Sequence, residues 1–91
     1  MIYEEFRYFI KAYMTLSIDK KEIPAVISQF VEHESIEQKE QMLHELHRIV
    51  ENNDWEAVQK MVREYGKREC SVEELRGWIL LFIHELQSKK A

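Results

Sequence analysis

Apolar residues along this chain recur at three- and four-residue steps in five separate stretches, and no useful length alternates apolar with polar. The pattern therefore predicts helices and no strand. The first stretch covers about residues 2 to 16, with Ile2, Phe6, Phe9, Ile10, Tyr13 and Met14 on one face and Glu4, Glu5, Arg7 and Lys11 on the other. After the turn Asp19-Lys20-Lys21-Glu22, a second helix carries Ile23, Val26, Ile27, Phe30 and Val31. Pro24 requires that helix to begin within a residue or two before it, because proline is tolerated only in the first turn.

Local chemistry marks the remaining helix ends. Ser35-Ile36-Glu37-Gln38 reads as a capping box, opening a third helix whose apolar positions are Met42, Leu43, Leu46, Ile49 and Val50. Asn52 and Asn53 close it, and Asn53 with Glu56 reads as the box for a short fourth helix bearing Trp55, Val58, Met61, Val62 and Tyr65. Gly66 is expected to end that helix as a left-handed cap residue. Lys67 to Cys70 is then a loop, and Ser71-Val72-Glu73-Glu74 is a third box opening a helix that is apolar over most of its circumference. Its Leu75, Trp78, Ile79, Phe82, Ile83 and Leu86 make it the expected core helix. The whole reading is an all-α fold: a compact bundle of about five helices forming a single domain over 1–91, with Trp78, Ile79, Phe82, Phe30, Ile27, Phe9 and Leu46 central to its core.

Composition agrees with a packed helical domain. Apolar residues are 45% of the chain, and two glycines and one proline leave little room for irregular structure. A chain of 91 residues can bury about two-thirds of its unfolded surface without disulfides or metals. The lone Cys70 permits no internal disulfide, which suits a reducing compartment. The start of the chain lacks the basic and apolar regions of a secretory signal, and no run reaches the ~18 apolar residues of a membrane span, so a cytoplasmic protein is expected.

Charge changes the picture more. Between Glu32 and Glu56 eight acids face only Lys39 and Arg48, a local charge of −6, while the chain as a whole is at −4. The eight are Glu32, Glu34, Glu37, Glu40, Glu45, Glu51, Asp54 and Glu56. Such a field repels nucleic acid and attracts a basic partner, and it also suits a solvated helix face. Lys60, Arg63, Lys67 and Arg68 are too few, on an acidic domain, to make a nucleic-acid stripe.

Catalytic and metal signatures are sparse. His44 and His47 share a helix face at a three-residue step, but they lack the four-residue spacing of a metalloprotease helix and further ligands in register, so no metal is expected. Cys70 sits just ahead of a helix N-terminus, a position that lowers a thiol pKa, yet no cysteine-enzyme signature surrounds it. His33 and His84 are isolated. No phosphate-binding glycine loop, nucleophile elbow or Cys-x-x-Cys pair occurs, so neither catalytic residues nor cofactors are expected. Tyr3 and Tyr8 fall off the main stripe of the first helix and are candidates for a partner contact.

The order Phe6-x-x-Phe9-Ile10-x-Ala12-Tyr13, Val26-Ile27-x-x-Phe30-Val31, Glu45-Leu46-x-x-Ile49 and a capped closing helix with Trp78-Ile79 resembles small helical immunity proteins of bacterial contact-dependent growth inhibition systems. The resemblance implies a non-enzyme that binds and neutralises a cognate toxin C-terminal domain, often a nuclease, inside the producing cell, and the helical domain is expected to be a monomer on its own. The eight acids from Glu32 to Glu56 are then the expected contact residues, since nucleases that grip phosphate present basic clefts. The alternative is a small helical adaptor or regulatory protein acting through other protein contacts, including self-association through the apolar excess of the last helix.

Overall fold

Fold architecture follows the apolar stripes. A computed structural model describes residues 3–14 and 19–88, and among them five α-helices and one 3-10 turn account for nearly all the backbone, with no strand. Helix α1 is Glu4–Tyr13, α2 is Ile23–His33, α3 is Ile36–Asn52, α4 is Trp55–Gly66 and α5 is Val72–Ser88. The 3-10 turn Lys20–Glu22 runs directly into α2, placing Pro24 in the first turn as its missing N–H requires. The first helix is shorter than its periodicity suggests: Met14 leaves the helical region, and Ile2 and residues 15 and 16 lie outside the described residues.

The α5 helix packs against α2, α3 and α4, while α1 lies on α3 and α4. Where α1, α2 and α5 meet, Phe9, Phe30 and Phe82 form a triangle of edge-to-face rings with centroids 4.9 to 5.7 Å apart. Tyr13 stacks on Phe9 at 5.6 Å and extends this cluster to the edge. Ile27, Leu46, Ile49 and Ile79 are buried around it, as their stripe positions require. Trp78 is only partly buried, because its position on α5 turns it towards the rim of the core. The radius of gyration, 11.9 Å, matches the ~12 Å expected of a folded chain of this length.

Of the three capping boxes one forms in full and one forms only its N-cap half. At α5 the box is reciprocal: the Glu74 N–H donates to Ser71 Oγ at 3.1 Å and the Ser71 N–H donates to Glu74 Oε1 at 2.9 Å. At α3 the Gln38 N–H donates to Ser35 Oγ at 3.2 Å, and the Gln38 side chain accepts from the Ser35 hydroxyl at 3.3 Å. The third box does not form. Asn53 instead takes the left-handed conformation (φ 54°) and ends α3, with the N–H groups of Asn53 and Asp54 donating to the Val50 and Ile49 carbonyls. Asn53 is thus the stop of one helix, not the start of the next.

Gly66 also differs from expectation. It remains inside α4 without a positive φ, and Lys67 (φ 55°) takes the left-handed position. A Cβ on Gly66 would stand 3.1 Å from Cγ2 of Ile10, so the glycine lets α4 approach α1 closely.

Candidate functional site

The acidic segment divides into carboxylates that point inward and carboxylates that point out. Glu45 is 4% exposed and is the one charged residue buried in the core among the described residues. Its two carboxylate oxygens accept from the backbone N–H groups of Glu5 and Phe6, each at 3.1 Å, and Gln41 Nε2 donates to it at 3.0 Å. Those N–H groups belong to the first turn of α1, where no intrahelical acceptor exists and where the helix dipole favours a negative charge. Helix α1 has no side-chain cap of its own, since its N-cap position is Tyr3. Glu45 therefore performs from α3 the task that a Ser or Asp usually performs locally. Its assignment to an exposed contact surface is corrected: burial and two backbone bonds commit it to the fold.

Two further acids also bind the α1 segment. Glu34 Oε2 accepts from the Tyr13 hydroxyl at 2.6 Å and from the exposed Tyr8 hydroxyl at 3.3 Å. Burial, and then the Glu34 carboxylate, raise the Tyr13 pKa, so its hydroxyl stays a donor at any physiological pH. Asp54 accepts from the hydroxyl of Tyr3. That tyrosine is buried with φ 60°, a conformation costly for an aromatic residue and sustained here by the ring's burial and the Asp54 bond. The expectation that Tyr3 faces a partner is corrected, whereas Tyr8 is exposed.

The clamp has a like-charge consequence. Glu5 is partly buried, one of its oxygens has no hydrogen-bond partner, and its pKa is raised by burial and then by the nearby Glu45, Glu34 and Glu4. One acid in this group is thus held closer to neutrality than an ordinary glutamate.

The other five acids, Glu32, Glu37, Glu40, Glu51 and Glu56, are exposed. The ion pairs among the described residues are Lys20–Glu74, Lys60–Glu64 and Arg63–Glu69, and none involves these five. Along the outer face of α3 the order Glu37, Glu40, His44, Arg48 and Glu51 steps by three and four residues over about 21 Å, with Ile36, 70% exposed, at its N-terminal end. Glu32 lies near the end of α2 and Glu56 at the start of α4. His47 is partly buried beside this face. The surface is acidic with one interrupting arginine.

The side chains weighed for chemistry are placed differently. Cys70 is buried, and burial raises its thiol pKa, followed by the charge of Glu74, which together exceed the lowering by Lys20 and Arg68. Its carbonyl accepts from Gln59 Nε2 at 2.7 Å. Among the described residues no three His, Cys, Asp or Glu side chains converge as a metal would need, and no helix is long and apolar enough to cross a membrane. No family model, curated protein or solved structure matches this chain.

Sequence reasoning missed the role of Glu45, although a signal was present. Met42, Glu45, Leu46 and Ile49 are spaced by three, one and three residues, so Glu45 occupies a core-stripe position. An acid at such a position needs buried donors, and the uncapped start of α1 supplies them.

Proposed function

We propose that this protein is an immunity protein that binds and neutralises a basic toxin domain of a contact-dependent growth inhibition system, through the outward carboxylates Glu32, Glu37, Glu40, Glu51 and Glu56. The observation that carries this reading is that all five are exposed and without an ion pair among the described residues. Hydrogen bonds explain Glu34, Glu45 and Asp54, and the first turns of α3 and α4 favour an acid at Glu37 and Glu56, which leaves Glu32, Glu40 and Glu51 without a structural task among the described residues. The family resemblance in the apolar spacing points the same way. Exposed carboxylates on a rigid helix steer a basic partner to encounter and then occupy the groove in which a nuclease would hold phosphate. Ile36 adds an aliphatic contact beside Glu37 and Glu40. On this reading the protein acts in the bacterial cytoplasm by occupancy, with no chemical step or cofactor of its own.

The test is to co-express the chain with the toxin C-terminal domain encoded immediately upstream of its gene. Rescue of growth and co-purification of the two are expected. Purification of the chain alone, with no protection, contradicts the reading.

A further inference from the structure

The outer face of α5 presents a glycine and a leucine that nothing in the fold explains. Gly77 lies in the middle of this helix, where glycine is less favourable than alanine, and a Cβ there would meet no atom within 4 Å. Gly66 is used for a close approach inside the fold, but Gly77 has no such neighbour. One turn on, Leu80 is 50% exposed, flanked by the partly buried Leu81 and Ile83. Glu73 and His84 are exposed on the same face, one turn beyond Gly77 and Leu80 respectively.

We infer that this face pairs with the same face of a second copy, the two α5 helices running antiparallel, with Leu80 of each seated over Gly77 of the other. A two-fold axis between positions 77 and 80 makes this exchange self-complementary, as an isologous contact must be. The same register sets Glu73 of one copy opposite His84 of the other, twice, so a carboxylate acceptor meets an imidazole N–H donor in the alignment that the knob-and-hole pattern also requires. Within a single chain Glu73 and His84 are about 16 Å apart along the helix and cannot meet. Glycine at the crossing lets the backbones approach, which accounts for its place in an exposed helix interior. One helix pair buries less area than a standard interface, so the dimer is weak and concentration-dependent. None of the five outward acids takes part, and this pairing stands or fails independently of toxin binding.

Sedimentation velocity of the full chain from about 10 µM to about 1 mM tests it. Wild type should shift from monomer towards dimer, and Leu80→Glu should remain monomeric throughout. Gly77→Ala should raise the melting temperature while weakening association several-fold, two effects that a monomeric role for the helix would not separate. Glu73→Lys should weaken association, and Glu73→Lys with His84→Glu should restore it, because the swapped charges meet across the two copies. A wild-type chain that stays monomeric at all concentrations overturns the proposal. So does a dimer that Leu80→Glu leaves intact, or a double swap that fails to recover what Glu73→Lys loses.

Discussion

A carboxylate that accepts two backbone N–H groups cannot become an amide without setting an NH2 group against a donor, and Glu45 is so placed. Glu45→Gln is expected to lower stability by about 1–3 kcal/mol, the range for leaving buried polar groups unpaired. Hydrogen exchange at the Glu5 and Phe6 amides should accelerate in parallel. The exposed Glu40→Gln should stay within about 0.5 kcal/mol of wild type. Equal urea midpoints for the two variants would contradict the assignment of Glu45 as the cap of α1.

Glu5 gives the opposite sign. Its folded-state pKa lies above the ordinary value of 4.5, so folding binds its proton more tightly than the unfolded chain does. The associated stability is fully present below about that ordinary value and is lost as pH rises through the folded-state value. At neutral pH the ionised Glu5 therefore opposes folding, and Glu5→Gln should raise the melting temperature at pH 7. The gain should vanish near pH 4. A gain that is the same at both pH values would rule out titration as its cause. Glu74 titrates the other way, held low by the Ser71 N–H and then by Lys20, so its support is fully present above the ordinary value of 4.5 and is lost as pH falls through its lower folded-state value.

At the scale of helices, the two glycines separate what is legible from what is not. Stripes at Ile23, Val26, Ile27, Phe30 and Val31 and the boxes at Ser35 and Ser71 were readable because their causes lie within a few residues. Gly66 read as a helix stop because local statistics favour glycine there, but its use is an approach to Ile10, more than fifty residues away in the chain. Asn53 and Lys67 took the left-handed positions instead. Gly66→Ala must displace Ile10, whereas Gly77→Ala meets nothing. The second should gain about 0.5–1 kcal/mol of helix stability in the monomer, and the first should gain less or lose. Chemical denaturation of dilute protein compares them, and equal gains would contradict the close packing of α1 on α4.

At the scale of the whole molecule, the aromatic triangle ties three helices together, so its loss is felt everywhere. Phe82→Ala removes the ring that meets both Phe9 and Phe30 and should cost about 3–5 kcal/mol, a large share of a small domain's stability. A melting curve like that of wild type would exclude Phe82 from the core. The acidic segment was legible as a charge imbalance, but its division was not, since only the fold brings Tyr3, Tyr13 and the start of α1 against Asp54, Glu34 and Glu45. Three acids hold the first helix, and five remain for the surface.

Stopped-flow association of the purified chain with the proposed partner, the toxin domain encoded upstream, at low and high salt, tests most directly whether those five acids form the binding surface. Reversing Glu32, Glu40 and Glu51 to Lys together, which leaves Glu37 in the first turn of α3, should slow association by about tenfold or more at low salt, with a smaller effect at high salt and an unchanged melting temperature. An unchanged association rate in that variant, with binding lost instead on mutation of Tyr8 or of the Lys60 to Arg68 segment, would contradict the acidic face as the interface.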